Sequence, residues 1–159
     1  MNVEELTKEL LRFNTINPPG DEEECIRYIG KIYEKNDFEV NYHKLSDKRY
    51  SLVVRKGHSN MKKPLCLTGH IDTVPLGSQV WTKDPFNGET DSGKLYGRGS
   101  SDMKAGIASI IDASLSIPIK EKSPGLEIVL TAGGSGSGTD DIVLEAGTGL
   151  SIARSSDKI

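Results

Sequence analysis

His70 and Asp72 stand two residues apart in the stretch Thr68-Gly69-His70-Ile71-Asp72-Thr73-Val74-Pro75, directly after the apolar run Leu65-Cys66-Leu67. In extended backbone, side chains at that spacing project to the same face. A neutral imidazole is a good zinc ligand, and a carboxylate beside it fixes the ring's tautomer and raises its basicity. Taken alone, the pair reads better as a hydrogen-bonded surface pair. A second cluster is Gly97-Arg98-Gly99-Ser100-Ser101-Asp102-Met103-Lys104-Ala105-Gly106. Its glycines permit tight backbone turns. Asp102 falls at the start of an expected helix, where an aspartate serves as an N-cap. The same position suits a metal ligand, since a carboxylate has two oxygens and can bridge two ions.

The elements that must position these residues follow from periodicity. Val3, Leu6, Leu10 and Phe13 recur at helical spacing over 3–13, and Asn17-Pro18-Pro19-Gly20 ends that run. Asp21 reads as the N-cap of a helix over 21–36 that presents Ile26, Ile29 and Tyr33 on one face. Strands are expected at 38–42, 51–55, 65–68 (buried), 126–130 and 142–144, with a long loop from Thr73 to Gly93. A helix capped by Ser101 or Asp102 should run from Met103 to Ile117, with Ile107, Ile110, Ile111 and Leu115 as its inner stripe. Helices alternating with short strands give an α/β fold with a sheet of mixed strand directions. The tract Gly133-Gly134-Ser135-Gly136-Ser137-Gly138 has the composition of a flexible linker. It is too short for a parallel crossover.

Composition narrows the function classes. The chain has 159 residues, 20 Lys and Arg against 23 Asp and Glu, and a formal charge of −3. That size fits one domain with a real core. The mild acidity leaves no basic footprint for nucleic acid or an anionic membrane. Cys25 and Cys66 make no disulfide framework, and the acidic Met1–Glu5 start lacks a signal-peptide pattern. Cys66 is read as packing into a core strand. The expectation is a cytoplasmic protein with neither nucleic-acid nor membrane partners. Two further matches are set aside. Ser101-Asp102-Met103-Lys104 fits a Ser-x-x-Lys pattern without its companion motifs, and Gly97-Arg98-Gly99 lacks the third glycine of a dinucleotide fingerprint.

Together the motifs resemble the zinc-dependent amidohydrolase and peptidase family of acetylornithine deacetylase, succinyl-diaminopimelate desuccinylase, aminoacylase and carboxypeptidase G. The family pattern Gly-His-x-Asp-x-Val-Pro appears at 69–75, its Trp-x-x-x-Pro-Phe loop at Trp81–Phe86, and Gly-Arg-Gly-x-x-Asp-Met-Lys-Gly/Ala-Gly at 97–106. Phe13 to Gly20 looks like its N-terminal signature. The resemblance implies a three-layer catalytic domain of the zinc exopeptidase type, truncated and without the lid and dimerisation domain. It implies zinc, with cobalt as a possible substitute. His70 would be a ligand to one zinc, Asp72 the catalytic-site carboxylate that orients His70, and Asp102 the bridge between two zincs. Glu145, in Ile142-Val143-Leu144-Glu145-Ala146-Gly147, takes the place of a further ligand to the first zinc, or is an exposed acid at a strand end.

The same resemblance exposes departures. The strand ending Thr131-Ala132-Gly133 should be followed by two glutamates, a general base and a ligand of the second zinc; Gly134 and Ser135 stand there. The implied organisation is the N-terminal part of the catalytic domain over 1–132, a Gly/Ser-rich loop over 133–140, and a remaining strand and tail over 141–159. The implied activity is amide hydrolysis of a small N-acyl amino acid or dipeptide by zinc-activated water. That activity is weak or lost here, because a missing general base alone removes about 10²–10⁴-fold. No lid-mediated dimer is expected. The competing reading is an inactive fragment or miniature that retains a metal-binding or interaction role.

Overall fold

The structure is a computed structural model that describes residues 2–57, 63–119 and 125–133. The expected strand at 142–144, Glu145, and all but the first residue of the Gly/Ser tract lie outside them.

Helix α1 spans Val3–Leu11, and Asn2 caps it by accepting the Glu4 N–H at 2.8 Å. Helix α2 spans Glu23–Glu34 and buries Cys25, Ile26, Ile29, Ile32 and Tyr33, the face that the spacing indicated. Asp21 does not cap it. The Glu23 N–H goes to the Lys48 carbonyl at 3.0 Å, and the Asp21 carboxylate pairs with the Lys48 ammonium at 3.1 Å. Lys48 lies in the turn between β1 (Glu39–Ser46) and β2 (Arg49–Lys56), so the hairpin turn supplies the acceptor that a capping side chain would have provided.

Strand β3 is Leu65–His70. A small hairpin begins inside the loop expected over Thr73 to Gly93, with β4 (Glu89–Asp91) within it and β5 (Lys94–Tyr96) just past its end. Helix α3 is Ala105–Ser116 and β6 is Leu126–Thr131. The main sheet runs β1-β2-β6-β3, antiparallel except for the parallel β3–β6 pair. The mixed directions match the sequence expectation. The parallel pair is joined through α3, as a parallel ladder requires.

Register explains the core. Leu52 pairs with Leu130 and Val54 with Ile128, so these side chains share one face. All three helices pack there, burying Leu6, Leu10, Ile26, Ile29, Tyr33, Ile107 and Ile111 with them. Each fully buried Leu or Ile contributes about 1.5–3 kcal/mol. The Tyr33 hydroxyl and Ser114 Oγ, 3.0 Å apart, tie α2 to α3, and burial pushes the Tyr33 hydroxyl up to about 12.

Two expectations for β3 change. It is the last strand of the sheet among the described residues, and Leu65 is exposed. Cys66 sits on the face away from the helices, half-buried, with Sγ 4.0 Å from Glu127 Oε1. Cys25 is fully buried, and burial pushes its thiol up to about 12, so it is inert packing. None of the described helices is long and apolar enough to cross a membrane.

Candidate metal centre

His70 is the last residue of β3 and pairs with Thr131 of β6. It thus stands at the carboxyl end of the parallel strand pair, where open α/β sheets place ligands. Gly69 keeps the approach narrow: a Cβ there would lie 2.6 Å from Ile107 Cδ1.

Each ring nitrogen of His70 meets a carboxylate. Nδ1 lies 3.0 Å from Asp72 Oδ1 and 3.1 Å from the Asp72 carbonyl, while Nε2 lies 3.0 Å from Asp102 Oδ1. The hydrogen bond with Asp72 is the main cause that lifts the imidazole to about 9, against the pull of burial; Asp102 adds to it. The two carboxylates differ in freedom. Asp72 has 14% of its side chain exposed and is also held through Oδ2 by the Asn17 amide at 3.0 Å. Asp102 has 84% exposed and can swing toward a ligand.

The segment before Pro18 is threaded beside the site. Thr15 Oγ1 donates to the Ile71 carbonyl at 2.8 Å, and Thr15 and Asn17 exchange backbone hydrogen bonds with Thr73. In the sequence Asn17 stands in a turn and in the resembled N-terminal signature, with no role assigned. Its link to Asp72 crosses 55 residues and leaves no local signal.

Asp102 is not an N-cap. Helix α3 begins at Ala105 without a side-chain cap, and Ser100–Lys104 forms an irregular helical turn in which Asp102 and Met103 depart from helical angles. Gly99, at φ 89°, starts that turn, with the Lys104 N–H closing on its carbonyl at 2.8 Å. Lys104 is 1% exposed, and its Nζ donates to the carbonyls of Leu10 at 2.9 Å and Phe13 at 2.7 Å. Those acceptors end α1, a favourable place for a cation. Burial pulls the ammonium down to about 8. Lys104 therefore anchors the turn that presents Asp102, a role hidden when 103–117 is read as continuous helix.

A cleft of about 240 Å³ opens over His70, Asp72 and Asp102, walled by Gly97–Ser101. That is below the roughly 300–1,000 Å³ usual for drug-sized ligands, so it suits a small group. The Arg98 guanidinium stacks on Trp81 at 5.1 Å and donates to the Pro75 carbonyl at 3.0 Å, so Trp81 pins its own loop.

His70 Nε2 and Asp102 Oδ1 are chemically apt as metal donors and already converge. Two ligands on a tetrahedral zinc lie about 3.3 Å apart, a few tenths more than the present contact. Among the described residues no group of three or more His, Cys, Asp or Glu forms a complete set. Glu145, the further ligand that the resemblance implies, lies outside them.

Residues 66–143 match the family described as Peptidase family M20/M25/M40. The chain carries the N-terminal part of a peptidase M20 domain. This M20 segment is 42% identical over 110 residues to a succinyl-diaminopimelate desuccinylase of Wolbachia pipientis subsp. Culex pipiens, covering 69% of this chain and 27% of that protein. A desuccinylase of Wolbachia sp. subsp. Brugia malayi is 38% identical over 115 residues, 71% of this chain and 28% of its own length. The chain thus spans little more than a quarter of those relatives. Among solved structures, the M20 family metallo-carboxypeptidase Sso-CP2 from Sulfolobus solfataricus superposes with TM-score 0.67 at 21% identity, over 83% of this chain and 31% of that one. Human carnosine dipeptidase 1 gives TM-score 0.66 at 18% identity, over 86% and 33%. At those identities the likeness establishes the M20 fold: a mixed sheet with helices.

Proposed function

We propose that this chain carries one zinc site of a metal-dependent hydrolase that cleaves the amide of an N-acyl amino acid, of the kind named by its desuccinylase relatives. The observation that carries the reading is His70 held between Asp72 and Asp102 at the mouth of a small cleft. His70 Nε2 and Asp102 would hold the metal, with Glu145 as a further ligand. When bound, zinc supplies a Lewis acid that polarises a carbonyl and lowers the pKa of water.

The chain's own residues do the rest. Asp72 accepts a hydrogen bond from His70 Nδ1–H, which in the neutral ring leaves the lone pair on Nε2 toward the cleft. Asn17 fixes the Asp72 carboxylate so that this orientation persists. Asp102, 84% exposed beside His70 Nε2, would be the second donor to such a metal once the imidazole is neutral. Gly134 and Ser135 stand where the family has its general base and a second-zinc ligand, so proton transfer lacks a dedicated acceptor. Turnover should be weak at best.

The test is to load the purified chain with zinc or cobalt and offer N-succinyl-diaminopimelate and N-acetylornithine. Stoichiometric metal with slow deacylation supports this reading, stoichiometric metal with none favours the second reading below, and absence of bound metal overturns it. The second reading is a catalytically inactive segment with a metal-binding or interaction role, favoured by the same Gly134-Ser135 departure. Robust deacylation would exclude it. Cytoplasmic location belongs to this proposal too, carried by the absence of a disulfide framework.

A further inference from the structure

The Glu22 carboxylate is completely buried and the Arg49 side chain is 15% exposed. Arg49 Nε lies 3.2 Å from Glu22 Oε2, and Nη2 lies 3.5 Å from Oε1. The same Nη2 donates to the carbonyls of Ala132 and Gly133, each at 2.9 Å. One guanidinium therefore ties the entry of α2, the first residue of β2 and the chain just past β6. Gly20, at φ 86°, makes room for it: a Cβ there would lie 2.5 Å from Arg49 Nε.

An isolated buried ion pair is a poor source of stability, because desolvation offsets the attraction. Burial indeed raises the Glu22 carboxyl above its ordinary value, opposed by Arg49 and reinforced by the nearby charge of Asp72. What the pair does accomplish is placement. Gly133, at φ 77°, lies directly under the Asp72 carboxylate, so that any Cβ would overlap both carboxylate oxygens. Asp72 is thus enclosed on three sides, by the Gly133 backbone, the Asn17 amide at Oδ2 and the His70 ring at Oδ1. Of these, the Gly133 backbone is gripped by Arg49.

We propose that Arg49 and Glu22 are positioning residues: Arg49, held by Glu22, grips the carbonyls of Ala132 and Gly133, holds the end of β6 against Asp72 and so fixes the orientation in which Asp72 holds His70. Neither residue touches the metal donors. The inference rests on the metal-site reading for its consequence, though the placement of His70 is measurable without metal.

The experiment compares the full chain with Arg49→Met, Arg49→Lys and Arg55→Met. Arg55→Met removes another ion pair of the same sheet, Arg55–Glu127 at 2.5 Å, far from Asp72 in register. Cobalt(II) affinity is read by calorimetric titration. The His70 Nδ1–H signal of metal-free, ¹⁵N-histidine-labelled protein is read by NMR. Arg49→Met should weaken cobalt binding tenfold or more and broaden or lose the Nδ1–H signal. Arg49→Lys should recover part of both, and Arg55→Met should leave the affinity within twofold and the signal intact. Should Arg49→Met fail to fold, Glu22→Gln takes its place and should weaken cobalt binding threefold or more, with a broadened signal. Retention of affinity and signal by the folded Arg49 or Glu22 variant overturns the inference. A wild type that binds no cobalt overturns the metal reading instead, and the Nδ1–H signal then decides the placement alone.

Discussion

Asp72 and Asp102 clasp the two nitrogens of one imidazole, each at 3.0 Å, yet only Asp72 is fixed in place. In the proposed metal site the asymmetry would divide their work: the enclosed carboxylate would orient His70, and the exposed one would be free to follow a metal.

Asp72→Asn keeps the shape and removes the charge. The principal cause of the raised imidazole value is then gone, and His70 should titrate well below 9, toward its ordinary 6.5. An NMR titration of the histidine ring signals measures this. A titration midpoint that stays near 9 would show that Asp102 alone sustains it.

The raised value also sets a pH dependence for the metal-free protein. A group that binds its proton more tightly when folded stabilises the fold fully below the unfolded pKa of 6.5, and that contribution is lost as pH rises through about 9. Urea midpoints should therefore fall between pH 6.5 and 8 in wild type, below the range where buried Lys104, held down at about 8, releases its proton and adds the opposite slope. In His70→Gln that segment of the profile should flatten. Parallel slopes in the two proteins would contradict the assignment.

Gly133→Ala forces a side chain into the left-handed region and into the Asp72 carboxylate at once. The cost should be about 2–4 kcal/mol, combining backbone and steric strain. Gly93→Ala shares the positive φ but has open space around it, and should cost only about 1 kcal/mol. Equal losses in chemical denaturation would mean that Asp72 does not rest on Gly133.

Lys104→Met strips the Leu10 and Phe13 carbonyls of their donor. It also relieves a buried charge. Unsatisfied acceptors should dominate, giving a loss of about 1–3 kcal/mol. Release of the Asp102 turn should weaken cobalt binding as well. A variant of unchanged stability and affinity would remove Lys104 from the account.

Much of this arrangement was legible in the sequence. Helical spacing located α1, α2 and α3, and the β-branched and apolar runs located the four strands of the main sheet but not the exposed β4–β5 hairpin, because only the former bury a face in the core. His70 and Asp72 were legible as a pair because a strand end fixes their spacing. What stayed hidden depends on contacts between distant segments. Lys48 takes over the capping of α2 through its carbonyl, which no side-chain pattern announces. Asp102 escapes the helix because Gly99 and buried Lys104 hold an irregular turn before Ala105. Arg49 and Glu22 are 27 residues apart and meet only once the hairpin folds over α2. Glu145, assigned by resemblance, lies outside the described residues, and its part in the site rests on measurement.

The most direct test of the central claim is zinc stoichiometry in purified, dialysed protein, wild type beside His70→Ala. Wild type should hold one tightly bound zinc per chain, and the variant should lose it. Zinc absent from wild type, or retained equally by His70→Ala, would contradict it.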